Sequence, residues 1–276
     1  MPVTLGSLKR AEPRKNRIYA MRRLGRTIFG RTTQPPRSWQ ILENEMNALD
    51  DCVIVFDAYG TLFDVYSVAE LAEQVFPGQG AQLSQIWRAK QLEYCFLRTA
   101  GDRYEDFSTI TASALRYAAE KLSLPLTAEA HDRLMGAYLH LAAFPENLAV
   151  LRSLRQLGAK LVILSNGTQP MLEAAVHSAG MDELFNHVLS VDPIKKFKPD
   201  PQVYQLACDA VGLPANRITF VSSNGWDVSG AGWFGFRAFW VNRRCDPVEQ
   251  LDSIPWRIGS TLTDLLHALQ PVDATQ

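Results

Sequence analysis

The sequence predicts an α/β protein: a Rossmann-like parallel sheet core with a helical cap subdomain inserted after its first strand. Three observations carry this prediction. The run Val53-Ile54-Val55-Phe56 is β-branched and aromatic, as a buried parallel strand should be, and it ends abruptly at Asp57. The stretch from about Ser67 to Leu141 then shows helical spacing with no intervening strand. After Pro145 the pattern alternates strand and helix, which implies a parallel sheet with right-handed crossovers.

Each element has a local signal. In the first helical stretch Leu83, Ile86, Trp87, Lys90 and Tyr94 recur at helical spacing, and Leu115, Ala118, Ala119 and Leu122 repeat it. Gly78, Gly80, Gly101 and Pro125 mark breaks, giving about four helices. Leu148 to Leu157 reads as a helix closed by Gly158, and Lys160 to Ser165 as a strand with a polar end. A helix over Met171 to Gly180 and a short strand over His187 to Ser190 follow. Pro201 to Gly212 is the next helix, Ile218 to Ser222 a strand, and Ala238 to Val241 a further strand. The expected organisation is a basic, disordered extension (1–46), a core made of 51–66 and 145–268, a cap (67–144) and a tail (269–276). No internal repeat or low-complexity segment interrupts it.

Hydrophobic content of 47% and charge of 21% suit a globular enzyme, and a net charge of -1 gives no general pull toward nucleic acid or anionic membrane. No apolar run approaches the roughly 18 residues of a membrane span. The 4 cysteines (Cys52, Cys95, Cys208, Cys245) match no metal spacing and read as reduced thiols of a cytoplasmic protein. Charge is uneven, however: 10 Lys or Arg residues precede Trp39, opposed by Glu12 alone. An Arg-rich, acid-poor extension resembles an organelle transit peptide, the alternative to a cytoplasmic location. Arg22-Arg23 lacks the apolar region that a twin-arginine signal requires. The preferred reading is a tail joined through Gln34-Pro35-Pro36, with Met46 opening the folded part.

Chemistry concentrates at the strand ends. Asp57, then Ser165-Asn166, then Ser222-Ser223-Asn224 with Asp227 follow three predicted strands, and a connection carries Lys195-Lys196-Phe197-Lys198-Pro199-Asp200. Parallel neighbours bring all of these to one edge of the sheet, where open α/β sheets hold their ligands. Singly, Ser and Asn after a strand are common caps and turn residues. Together, in this order, they resemble the haloacid dehalogenase superfamily, and within it the L-2-haloacid dehalogenases. The residues that carry the resemblance are Phe-Asp57-Ala-Tyr-Gly-Thr61-Leu-Phe-Asp-Val, Trp87-Arg88-Ala-Lys-Gln-Leu-Glu-Tyr94, Leu-Ser165-Asn166-Gly, Phe-Lys198-Pro-Asp and Phe-Val-Ser222-Ser-Asn224-Gly-Trp226-Asp227. They span about Asp51 to Arg243 and leave out the basic extension.

The resemblance implies hydrolytic dehalogenation of a small 2-haloacid, with no cofactor, no metal and a homodimeric protein. Asp57 would attack C2, and water would then hydrolyse the Asp57 ester. Thr61 and Lys198 would orient and polarise Asp57, and Arg88 would stabilise the leaving halide or the substrate carboxylate. Asn166 and Trp226 would line a halide cradle and Ser165 would hold the substrate carboxylate. Ser222, Asn224 and Asp227 would position or activate the water, with Tyr204 beside Lys198. Ala58, Tyr59, Phe107 and Tyr204 complete the expected substrate lining. The alternative is a phosphoester or phosphonate hydrolase, or a silent relative. A phosphatase of this superfamily needs an Asp two residues after the nucleophile to protonate its alkoxide leaving group, and Tyr59 stands there instead. Ser222-Ser223-Asn224 also leaves too few carboxylates for Mg²⁺. Gly230-Ala231-Gly232-Trp233-Phe234-Gly235 matches a dinucleotide pattern, but it does not join a strand directly to a helix start, so it reads as packing. The 5 histidines share no ligand spacing.

Overall fold

The computed structural model describes Leu49 and residues 52–270. The expectations for residues 1–46 and for most of the tail lie outside the described residues. Six strands form one sheet: β1 (Val53–Phe56), β2 (Lys160–Ser165), β3 (His187–Ser190), β4 (Ile218–Ser222), β5 (Arg237–Val241) and β6 (Arg257–Gly259). Their order is β3-β2-β1-β4-β5-β6, and every neighbouring pair is parallel. β1 is buried throughout and central, with Phe56 opposite both Ile163 and Val221. The chain leaves β1 toward β2 and leaves β4 toward β5, on the other side. The crevice of this switch point therefore opens beyond the carboxyl ends of β1 and β4.

After Phe56 the Asp57 N–H extends the ladder by donating to the Val221 carbonyl at 2.9 Å. The chain then turns sharply at Gly60, whose φ of 92° would strain any side chain, although its Cβ position is open. Four helices follow: α1 (Val68–Val75), α2 (Gly80–Ala100), α3 (Phe107–Lys121) and α4 (Ala128–Ala137). The number agrees with the sequence spacing, and Gly80 opens α2 where a break was expected. Asp106 and Thr127 cap α3 and α4 by accepting from the Thr109 and Ala130 N–H groups, each such cap being worth ~1 kcal/mol.

The buried face of α2 runs Leu83, Ser84, Trp87, Arg88, Gln91 and Cys95, so a serine, an arginine and a glutamine share a stripe with apolar residues. The segments leaving and re-entering the sheet region lie side by side. Asp64 N–H donates to the Ala142 carbonyl at 2.8 Å, and buried Asn147 Nδ2 donates to the Thr61 and Leu62 carbonyls at 3.1 and 3.0 Å. The loop after α2 meets the loop that carries Lys198. There, Tyr104 Oη donates to Asp192 at 2.6 Å, Lys196 pairs with Asp102 at 2.8 Å, and the Phe197 N–H donates to Thr99 Oγ1 at 3.0 Å.

The remaining helices are α5 (Asn147–Gln156), α6 (Gln169–Ser178), α7 (Pro201–Val211), α8 (Gly225–Phe234) and α9 (Leu262–Leu269). β2, β3 and β4 have the bounds that the sequence predicts. β6 and α9 were not foreseen as elements. β6 is three residues long with exposed Arg257 and Ile258, so it has no apolar run to betray it. The dinucleotide-like glycines lie within and just after α8. A Cβ on Gly230 would fall 2.5 Å from Tyr204 Oη and 2.6 Å from Pro199, so its missing side chain serves helix packing. All four cysteines are free thiols.

Candidate active site

Asp57 projects from the end of the central strand, and four side chains converge on its carboxylate. Oδ2 accepts from Asn224 Nδ2 at 2.8 Å, Thr61 Oγ1 at 3.0 Å and Ser222 Oγ at 3.3 Å. Oδ1 accepts from Lys198 Nζ alone, at 3.0 Å. One oxygen is thus crowded with donors while the other keeps lone pairs unoccupied. Each donor is itself held. Thr61 Oγ1 accepts from the Ser223 N–H at 2.8 Å, and Ser222 Oγ from the Asn224 N–H at 3.1 Å. Asn166 Oδ1 accepts the Lys198 N–H at 2.9 Å, which fixes the loop bearing the lysine.

Lys198 is 1% exposed and shared: its Nζ also lies 2.9 Å from Asp227 Oδ2. Burial pulls the lysine pKa down, but Asp227 and Asp57 together outweigh it, so the net shift is upward and the ammonium keeps its proton. Asp227 responds the other way. Desolvation pushes it to about 6, aided by the Asp57 charge and opposed by Lys198 and Tyr204. One cation faces two carboxylates.

Lys198 occupies the space between the two carboxylates, and the neighbouring Ser222 and Asn224 already donate to Asp57. This donor set does not fit a Mg²⁺ ion, which requires an octahedron of oxygen ligands. Among the described residues no cluster of three or more His, Cys, Asp or Glu side chains is disposed to hold a metal.

On the other side of Asp57 stand groups from α2 and the Tyr59 turn. Arg88 is 7% exposed, and its guanidinium donates to Gln91 Oε1 at 2.7 Å and to the Tyr59 carbonyl at 3.3 Å. No carboxylate among the described residues pairs with it. The Tyr59 ring packs on Phe107 with centroids 5.3 Å apart, and burial raises its phenol above the ordinary value. Tyr59 Oη and Trp226 Nε1 are both buried without a hydrogen-bond partner. The Trp226 ring meets Phe96 edge-on at 5.1 Å.

Five of the expected site residues have the following surroundings. Tyr204, expected among the substrate-lining residues, is fully buried behind Asp227 and donates to its Oδ1 at 2.8 Å. Ser222 and Asn224, expected to serve the water, bond to Asp57 itself. Ser165 and Ala58 are wholly buried: Ser165 Oγ accepts the Gly167 N–H at 3.1 Å, and the Ala58 carbonyl accepts the Leu62 N–H at 2.9 Å. Periodicity alone carried one further signal: Gln91 lies on the same buried stripe as Arg88.

With this geometry in place, comparison with known proteins is decisive. The haloacid dehalogenase-like hydrolase family model matches residues 53–235. The (S)-2-haloacid dehalogenase of Pseudomonas sp. (strain YL) is 47% identical over 208 residues, covering 75% of this chain and 90% of that protein. The chain belongs to the haloacid dehalogenase-like hydrolases. A crystal structure of an L-2-haloacid dehalogenase, 53% identical, superposes with a TM-score of 0.78 over 80% of this chain and 99% of the other. The L-2-haloacid dehalogenase of Xanthobacter autotrophicus, solved with chloropropionic acid covalently bound, is 37% identical, with a TM-score of 0.74 over 79% of this chain and 97% of that one. This hydrolase therefore groups with the L-2-haloacid dehalogenases, and no helix among its described residues is long and apolar enough to cross a membrane.

Proposed function

We propose that this hydrolase converts short-chain L-2-haloalkanoic acids to D-2-hydroxy acids through an aspartyl ester, without a metal. The observation that carries this reading is the unequal environment of the two Asp57 oxygens. Oδ1, with one donor, is free to attack C2 from the side opposite the halogen. The C–O bond forms as the C–halogen bond breaks, the halide leaves with the electron pair, and C2 inverts. A halide needs no proton to leave, which suits a site with Tyr59 where a phosphatase carries its acid.

In the ester, Oδ2 becomes the carbonyl oxygen, and its three donors are already aimed at it. Water attacks the Asp57 carbonyl carbon, and Asn224, Thr61 and Ser222 stabilise the charge that develops on Oδ2. Asp227, with its pKa near neutrality, takes the water's proton. Lys198 donates to the departing Oδ1 alkoxide and recovers a proton from Asp227 across the 2.9 Å contact. The second proton of the water, left on the regenerated Asp57 carboxyl, passes to solvent to balance the released halide, which closes the cycle. Arg88, Trp226 and Asn166 form the anion cradle, and Tyr59 and Phe107 line the apolar wall. Helices α1 to α4 act as the cap that delivers Arg88. On the same family resemblance the protein is a homodimer, and its free cysteines support a cytoplasmic location.

A single turnover in ¹⁸O water, run with EDTA present, tests this. The label is expected in the Asp57 carboxylate, with the first hydroxy acid unlabelled and later product labelled. Label in the first product and none in Asp57 would show direct attack by water and refute the ester. Loss of turnover in EDTA with rescue by Mg²⁺ would refute metal independence.

A further inference from the structure

Gln91 is a buried polar side chain that touches Arg88 and that the mechanism above does not use. It is 0% exposed and lies one turn from Arg88 on the inner face of α2. Its Oε1 accepts from Arg88 Nη1 at 2.7 Å, and its Nε2 donates to Thr111 Oγ1 at 2.6 Å. Thr111 in turn donates its single hydroxyl proton to the Phe107 carbonyl at 2.6 Å. That last bond fixes the direction of the whole chain. With its proton spent on Phe107, Thr111 Oγ1 can only accept, so the Gln91 amide must present Nε2 to it and Oε1 to Arg88.

We propose that Gln91, anchored by Thr111, is a positioning residue that holds the Arg88 guanidinium in place for the substrate's anionic groups. The proposal deepens the functional reading, because it rests on Arg88 serving as the anion-binding cation. The other polar contact of Arg88, to the Tyr59 carbonyl, is longer at 3.3 Å, so Gln91 is its principal tether. A neutral tether matters chemically. A carboxylate at this position would orient Arg88 equally well but would cancel its charge, whereas an amide oxygen leaves that charge available to an incoming anion. Packing of α2 on α3 does not depend on this chain. Trp87 Nε1 donates to the Thr111 carbonyl at 2.8 Å and anchors the two helices independently.

The test compares Gln91→Glu, Thr111→Val and Thr111→Ser with wild type and with Arg88→Lys. It reads halide release from L-2-chloropropionate, bromide binding by calorimetry, and Tm. Gln91→Glu is expected to lower kcat/KM at neutral pH by about tenfold or more and to weaken bromide binding in parallel. Both deficits relative to wild type should narrow toward acid, as the new carboxyl protonates. Thr111→Val keeps the shape but loses the hydroxyl, and is expected to lose about fivefold, while Thr111→Ser stays within about twofold of wild type.

Wild-type turnover and bromide binding in Gln91→Glu and Thr111→Val, beside an impaired Arg88→Lys, would overturn the proposal. So would equal losses in the valine and serine variants that track Tm, since a packing role predicts that pattern. The functional reading fails separately. A wild type that releases no halide, with bromide binding still weakened in Gln91→Glu and Thr111→Val, would leave the positioning role standing and remove the substrate assignment.

Discussion

The two sides of the Asp57 carboxylate are built on opposite electrostatic plans. On the strand-end side every charge is answered: Lys198 bridges Asp57 and Asp227, and neutral donors saturate Oδ2. On the α2 side a buried arginine bonds two neutral oxygens and pairs with no carboxylate among the described residues, and Tyr59 Oη and Trp226 Nε1 are buried donors without a partner. The first region resembles a finished ion-pair network. The second is a set of donors with nothing to receive them, and burying such groups costs about 1–3 kcal/mol each unless a ligand supplies the acceptor. The difference is what the proposed mechanism uses, with the nucleophile at the strand ends and the anion at the helix face.

The largest effect should come from removing the charge at the centre. Asp57→Asn keeps the shape and loses the nucleophile, so halide release should fall at least about a thousandfold, or ~4 kcal/mol of barrier. Near-normal release, in a sample shown by mass spectrometry to be free of deamidation, would take the nucleophile away from the strand end altogether.

Lys198→Met attacks the compensation on that side. It leaves two buried carboxylates facing each other without their cation, and breaking such a pair typically costs about 3–5 kcal/mol. We expect about a hundredfold loss of kcat together with a clear drop in Tm. Full stability would mean that the strand-end charges are less dependent on one another than their distances indicate.

Arg88→Lys tests the opposite side, where charge alone should not suffice. A planar guanidinium can serve Gln91, the Tyr59 carbonyl and an anion together, which an ammonium cannot, so kcat/KM should fall about tenfold or more while Tm holds. Unchanged kinetics would erase the functional contrast between the two sides.

The smallest effect concerns pH. Asp227 must be ionised to serve as base, so activity should fall as pH drops through about 6. Stability carries the opposite sign: the folded state binds this proton more tightly than an unfolded chain does, so the Asp227 contribution declines as pH rises from the ordinary 3.8 through about 6. Tyr204→Phe removes a hydrogen bond that favours the ionised carboxylate. It should move the acid limb of a pH–rate profile upward, with less than about fivefold loss at neutral pH. An unmoved limb would detach it from Asp227.

What could be read from the sequence follows the physics of each region. β1, β2 and β4 were legible because buried strands are apolar runs with polar ends, and Asp57, Ser165 and Ser222 mark those ends. β6 was not, because an exposed three-residue edge strand has no such run. The partnership of Asp57 with Lys198 came from the family resemblance, since 141 residues separate them and no local pattern links them. The direction of the Ser222 and Asn224 hydrogen bonds was hidden altogether, because residue type states what can donate but not to which oxygen. Tyr204 was placed near the right neighbour and on the wrong face. Its hydroxyl reaches Asp227 from behind, through a helix packing that only a glycine at position 230 permits.

The central position of β1 has a mechanical consequence. Asp57 follows a strand that is laced to a neighbour on each side, and its own N–H continues the ladder to Val221. The nucleophile therefore has no private degree of freedom: shifting its backbone means tearing the sheet. Arg88, by contrast, rides on a helix that can tilt without any strand parting. A tilt of α2 would carry Arg88 with it and leave the Asp57 backbone where the ladder holds it.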